Sequence, residues 1–145
     1  MNHLWVEQKT VITSGSLLRV SVFQEIGSFR NELFVDHVDH EYCLRACARG
    51  FKVIVTCAPI MKYSIGAVTL RKLLWRETKT SNHSALRRYY MARNDIVLAK
   101  EYIFNEPIWV LKALYSRLNK LILICFFEKN KLVKLKLTAL GVCRI

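Results

Sequence analysis

Phe51–Thr56 (FKVIVT) is the clearest strand signal in the first 60 residues, a β-branched run closed off by Pro59. Around it the signals are helical. Leu17, Val20, Phe23 and Ile26 recur at helical spacing and stop at Gly27. Asp36–Arg49 reads as a second helix, with Asp36 or Asp39 as cap, Glu41 and Arg45 as an i,i+4 pair, and Gly50 as its end. Between Val11-Ile12, read as the end of a strand, and the first helix lies the turn sequence Thr13-Ser14-Gly15-Ser16. A sheet of one or two strands cannot bury both its faces. The first part is therefore expected to be α/β material, a piece of a larger sheet.

Charge separates this part from the rest. Residues 1–60 carry six basic groups (Lys9, Arg19, Arg30, Arg45, Arg49, Lys52) and six acidic ones (Glu7, Glu25, Glu32, Asp36, Asp39, Glu41). The remaining 17 basic and 5 acidic groups give 17 − 5 = +12, the whole net charge of the chain. Such an asymmetry points to an anionic partner, nucleic acid or a phospholipid surface. A 52% hydrophobic composition excludes a disordered basic tail.

From residue 61 onward the pattern is helical. Short helix Leu70–Arg76 is followed by a longer one over Ser84–Tyr102. A third spans Glu106–Phe127, with Asn105 as N-cap and Pro107 in its first turn. On its wheel Ile108, Leu111, Leu114, Leu118, Leu121, Ile122 and Cys125 share one side, and Lys112, Ser116, Arg117, Asn119 and Lys120 the other. Lys129, Lys131, Lys134 and Lys136 follow. The longest apolar run, Leu121–Phe127, has seven residues, against about 20 for a bilayer span. The expected division is residues 1–68 and a helical, basic, amphipathic tail over residues 69–145. Five cysteines without a CxxC pair, and no signal peptide, suggest a reduced, cytosolic compartment.

The densest polar cluster is FVDHVDHEYCLR, Phe34–Arg45. Acids at a helix start serve as caps and favour the dipole. Three acids and two histidines within six residues exceed that need, and carboxylates here suit a general base or a hard cation. His37, His40, Cys43 and Cys47, spaced three, three and four apart, also admit a zinc reading, although both cysteines fit an apolar helix side as well.

The run TSGSLLRVSVFQEIGSFRNELFVDHVDHEYCLRACARGFKVIV, with Tyr63-Ser64-Ile65-Gly66 and RRYYMARN (Arg87–Asn94) after it, resembles the C-terminal half of family 2 glycosyltransferases. The likeness is to the bacterial rhamnosyltransferases of O-antigen and other surface polysaccharides. It covers about residues 11–100, in order, through the family's SG loop, its "iG.F.e.lFiD.vD.e.clR....G" segment, its "HsiG" turn and its "R.YY..RN" helix.

The resemblance implies an α/β fold, the C-terminal half of a GT-A (nucleotide-diphospho-sugar transferase) fold followed by the helical tail. It implies inverting transfer of L-rhamnose from dTDP-L-rhamnose to a lipid-linked oligosaccharide acceptor. Asp39 matches the catalytic carboxylate, with Asp36 and Glu41 as its supports; Val38 takes the place of the other acid of the usual "ED" pair. Thr13, Ser14, Gly15, Arg45 and Tyr63 are candidates for substrate binding. Tyr63 replaces the family's His, and a tyrosine is a poor ligand for magnesium or manganese. Nothing before Thr13 resembles the family's N-terminal half. The divalent cation (Mg2+ or Mn2+) of these enzymes thus has its DxD-type motif outside this chain. The expectation is a truncated transferase, or one half of a split enzyme whose N-terminal half is separately encoded.

Simpler readings stand beside several of these residues. Thr13–Ser16 suits an ordinary strand-end turn, and Arg45 is satisfied if it pairs with Glu41. Arg87, Arg88, Arg93, Lys129, Lys131 and Lys134 are candidate contacts to membrane or diphosphate phosphates, or solvated helix charges. The basic residues are interleaved with Leu and Phe, which argues for an anionic membrane surface and against nucleic acid. The expected location is the cytosolic face of the inner membrane, held peripherally. A non-catalytic membrane-associated fragment is the alternative.

Overall fold

The computed structural model describes residues 4–58, 69–73, 76–80, 83–128 and 130–143. The chain divides into two compact units, Met1–Tyr63 and Ser64–Ile145. It is a mixed structure, mostly helical with small antiparallel sheets.

In the first unit, β1 (Trp5–Gln8) pairs antiparallel with β2 (Val53–Thr56), with Val6 opposite Val55 and Gln8 opposite Val53. The strand expected to end at Val11-Ile12 lies instead at Trp5–Gln8. Trp5, Val6, Ile54 and Val55 are all exposed, so this ribbon does not bury its own faces.

Helix α1 (Val20–Ile26) begins three residues after the expected Leu17, whose side chain is fully in solvent. Gly27 ends it at φ 86°, donating its N–H to Phe23 O. A 3-10 turn, Asn31–Leu33, leads to α2 (Val38–Ala48). Gly50, at φ 85°, stops α2 as expected. Its N–H bonds Cys47 O at 3.0 Å, and the Phe51 N–H bonds Ala46 O at 3.1 Å, the paired bonds of a Schellman stop. The reversal returns Phe51 onto Ile26, Tyr42 and Ala46, the small core of this unit, with Val22 and Phe29 beside it.

In the second unit, strands occupy residues 70–73 and 76, within the stretch expected as a short helix. β3 (Thr69–Leu73) pairs antiparallel with β4 (Arg76–Thr80), from Thr69 opposite Thr80 to Leu73 opposite Arg76. So short a segment does not separate a 3.6 period from a 2 period, and threonines at 69, 78 and 80 favour strand.

Helix α3 (Ala85–Tyr102) starts as expected, with the Ser84 hydroxyl accepting from Arg87 N–H at 3.3 Å. Its inward stripe is Arg88, Met91, Ala92, Asn94, Asp95, Leu98 and Tyr102. Helix α4 (Pro107–Phe127) is preceded by Glu106 rather than capped by Asn105. Proline disfavours helical backbone in the residue before it, so the helix begins at Pro107 itself. The lysine-rich stretch beyond Phe127, expected only as a cationic flank, forms α5 (Lys131–Cys143). α5 packs chiefly on α3. Gly141 makes this possible, because a side chain there would run into the Tyr89 carbonyl.

Candidate active site at the start of the second helix

The approach to α2 has a definite register. Lys9 O lies 3.9 Å from Cys47 Sγ, Val11 O lies 3.9 Å from Cys43 Sγ, and Thr13 N lies 3.4 Å from Asp39 Oδ2. Each two-residue step of the incoming chain meets a four-residue step of the helix. The spacings agree: about 6.6 Å for two extended residues and about 6.0 Å for four helical ones. The chain runs antiparallel along one side of α2 and delivers the 13–16 turn to its N-terminus.

That turn is closed by Ser16 N–H to Thr13 O at 3.0 Å and by the Ser16 hydroxyl to Ile12 O at 2.7 Å. Gly15 sits third in it at φ 76°, where a type II turn needs glycine. Asp39, half-buried in the first turn of α2, accepts from two backbone donors. Thr13 N–H reaches Oδ2, and His40 N–H reaches Oδ1 at 2.9 Å. Two fixed donors orient the carboxylate, while its remaining lone pairs stay available to a proton donor. The structure thus brings Thr13, Ser14 and Gly15 together with Asp39.

His37 precedes the helix in the left-handed region, at φ 68°, which is uncommon for a residue with a side chain. Its Nδ1 lies 3.2 Å from Nδ1 of His40. At that distance one ring donates and the other accepts. Asp36 Oδ2 lies 4.0 Å from His37 Nε2. Cys43, buried, has its thiol pushed up by desolvation, a shift opposed by the bond to Val11 O. Both cysteines of the zinc reading thus face backbone carbonyls. Among the described residues no three His, Cys, Asp or Glu side chains are placed to hold a metal ion, so these residues alone do not form a cation site.

Glu41 and Arg45 turn away from Asp39. Glu41 is buried, and Arg45 grips it with Nε at 2.9 Å and a second nitrogen at 3.2 Å. The same guanidinium donates to Ile26 O at 2.6 Å and Ser28 O at 2.8 Å. It also lies 5.2 Å from the centre of the Tyr42 ring, itself stacked on Phe29. The pair thereby brackets the end of α1 to α2, as the simpler reading of Arg45 has it.

The candidate phosphate contacts all belong to the second unit; Lys129 among them, and the candidate substrate-binding Tyr63, lie outside the described residues. Arg88 and Lys134 are interior rather than solvated, both bound to the buried carboxylate of Glu128. Burial pushes the Arg88 guanidinium down, opposed by Glu128. Arg93 donates twice to Asn94 Oδ1, at 3.0 and 2.8 Å, and lies over the Tyr90 ring. Arg87 is half-buried, and Lys131 is exposed. Sequence reasoning passed over Glu128 and the pair of buried Asp95 with half-buried Arg117. One signal was present: Glu128 is the only acid after Glu106.

Over 130 residues the chain is 28% identical to dTDP-rhamnosyl transferase RfbF of Shigella flexneri, across 90% of this chain and 43% of that protein. The chain is rhamnosyltransferase-like. It spans less than half the length of this relative, and the match fits a C-terminal portion of such an enzyme. No protein-family model and no solved structure matches the chain.

Proposed function

We propose that this chain is the acceptor-side part of an inverting glycosyltransferase with a GT-A fold, acting in bacterial surface-polysaccharide synthesis. In this reading the acceptor hydroxyl oxygen attacks the anomeric carbon of dTDP-L-rhamnose. The carbon–oxygen bond to the diphosphate breaks, dTDP departs, and the hydroxyl proton passes to Asp39. The observation that carries the reading is the Thr13 N–H bond to Asp39, which sets the Ser-Gly turn against an acid oriented by two backbone donors. In this reading the Thr13 and Ser14 hydroxyls of the turn serve as sugar contacts. The acceptor is a lipid-linked oligosaccharide at the cytosolic leaflet, and the diphosphate-side residues, with any divalent cation, come from a part of the enzyme outside this sequence.

The test is Asp39→Asn in a full-length transferase carrying this segment. Rhamnosyl transfer falls by about 10²–10⁴-fold, the usual weight of a general base, with the fold intact by circular dichroism. Normal transfer by the variant removes Asp39 from the role. A non-catalytic membrane-associated portion is the second reading, motivated by the exposed apolar side chains of α4. Clear micromolar binding of dTDP-rhamnose by the isolated chain, measured by calorimetry, argues against it.

A further inference from the structure

Solvent meets an apolar side of α4 as well as its polar one. Val110 and Ile124 are buried, and Ala113, Leu114, Arg117 and Leu121 are half-buried. Ile108, Leu111, Tyr115, Leu118, Ile122 and Phe126 point outward, each between 50% and 68% exposed. They recur at intervals of 3, 4, 3, 4 and 4 residues, which draws one stripe along the helix. Soluble proteins rarely leave so continuous an apolar strip uncovered.

Charge decides what covers it. Neither α4 nor α5 contains a single Asp or Glu. Lys112 and Lys120 are exposed beside the stripe, and α5 adds exposed Lys131 and Lys136 with exposed Leu132, Val133 and Leu140. Glu128, between the two helices, is buried against Arg88 and Lys134 and offers no negative charge outward. A second copy of this helix would match the seven-residue spacing of Ile108, Tyr115 and Ile122. It would also oppose lysine to lysine, with no flanking glutamate to pair across the seam. No helix among the described residues is long and apolar enough to cross a membrane, so α4 could use this stripe on a membrane only by lying in its plane.

We infer that the Ile108–Phe126 stripe of α4, flanked by Lys112 and Lys120, is a docking face for an anionic phospholipid surface. This deepens the membrane location proposed above by naming the surface responsible, and it redraws the stripe expected from the helical wheel. Leu114 and Leu121 leave it for the interior side, and Tyr115 and Phe126 join it.

The experiment is co-sedimentation of the 145-residue chain with phosphatidylcholine vesicles, with and without phosphatidylglycerol. Binding is expected to the anionic vesicles. It weakens about ten-fold or more as salt rises from about 0.1 M to about 1 M, where the screening length falls from about 10 Å to about 3 Å. The double variant Leu111→Glu/Leu118→Glu, on exposed positions that leave the helix content unchanged, loses binding by at least as much. Asp39→Asn binds like the wild type, so a failed transferase assignment leaves this result standing. Unchanged vesicle binding by the double variant overturns the inference. So does a chain that ignores vesicles but dimerises through a contact the double variant abolishes.

Discussion

Each unit of the molecule buries one glutamate among cations, and the two do so differently. Glu41 takes its main partner, Arg45, from one turn along the same helix, with Arg30 a further 3.9 Å contact. The spare donors of Arg45 then go to the carbonyls of Ile26 and Ser28. Glu128 takes Arg88 from 40 residues away and Lys134 from the following helix. The first pair is a local bracket that fixes how the end of α1 meets α2. The second is the point where α3, the end of α4 and α5 are tied together. A bracket and a tie respond unequally when cut.

The largest effect belongs to the tie. Glu128→Gln leaves Arg88 and Lys134 buried without a counter-charge, a loss of about 3–5 kcal/mol. Urea unfolding followed by the helical signal measures it. A loss under about 1 kcal/mol would show that the three helices hold without the network. Next is Gly141→Ala, which presses a methyl into the Tyr89 carbonyl on α3. Separating α5 from α3 to admit it costs about 1–3 kcal/mol, read in the same melts. Smaller again is Arg45→Ala in the first unit, about 1–2 kcal/mol. It strips Glu41 of its main partner and frees two carbonyls. Arg45 is partly solvated, however, and Arg30 remains beside the carboxylate. An Arg45→Ala chain less stable than the Glu128→Gln chain would reverse the ranking.

The same contrast explains what the sequence disclosed. The bracket is an i,i+4 pair, and spacing alone announces it. Gly27, Gly50 and Ser84 end or begin helices through backbone and side-chain chemistry confined to a few residues, and all three were legible. The 13–16 turn was legible as a turn. Its seat against Asp39 was not, because that depends on how residues 9–13 run along α2. The tie joins residues 40 apart, and no local pattern joins Arg88 to Glu128. The inward stripe of α3 is hidden for a related reason: it carries Arg88, Asn94 and Asp95, so hydrophobicity does not mark it. Over residues 70–76 a helix and a strand fit the same few side chains, and pairing with the following segment chose the strand.

The smallest effect is one of pH, and it belongs to α2. Burial pushes the Cys43 thiol and the Tyr42 hydroxyl above their ordinary ranges. In both cases the folded chain holds its proton more tightly than the unfolded chain does. The stability this represents is fully present below the unfolded ionisation range and is lost as pH rises through the raised one. The first unit should therefore keep its melting temperature through neutrality and lose a few degrees on the alkaline side, beginning where an unfolded thiol ionises, at about pH 8.5. Cys43→Ala removes the earlier part of that decline and leaves the later part, due to Tyr42. Thiol alkylation near neutral pH gives an independent check. Cys57, Cys125 and Cys143 are exposed and react first, whereas buried Cys43 waits for the unit to open. If Cys43 reacted as fast as Cys125, the packing of Lys9–Thr13 along α2 would be too loose to hold the Ser-Gly turn against Asp39.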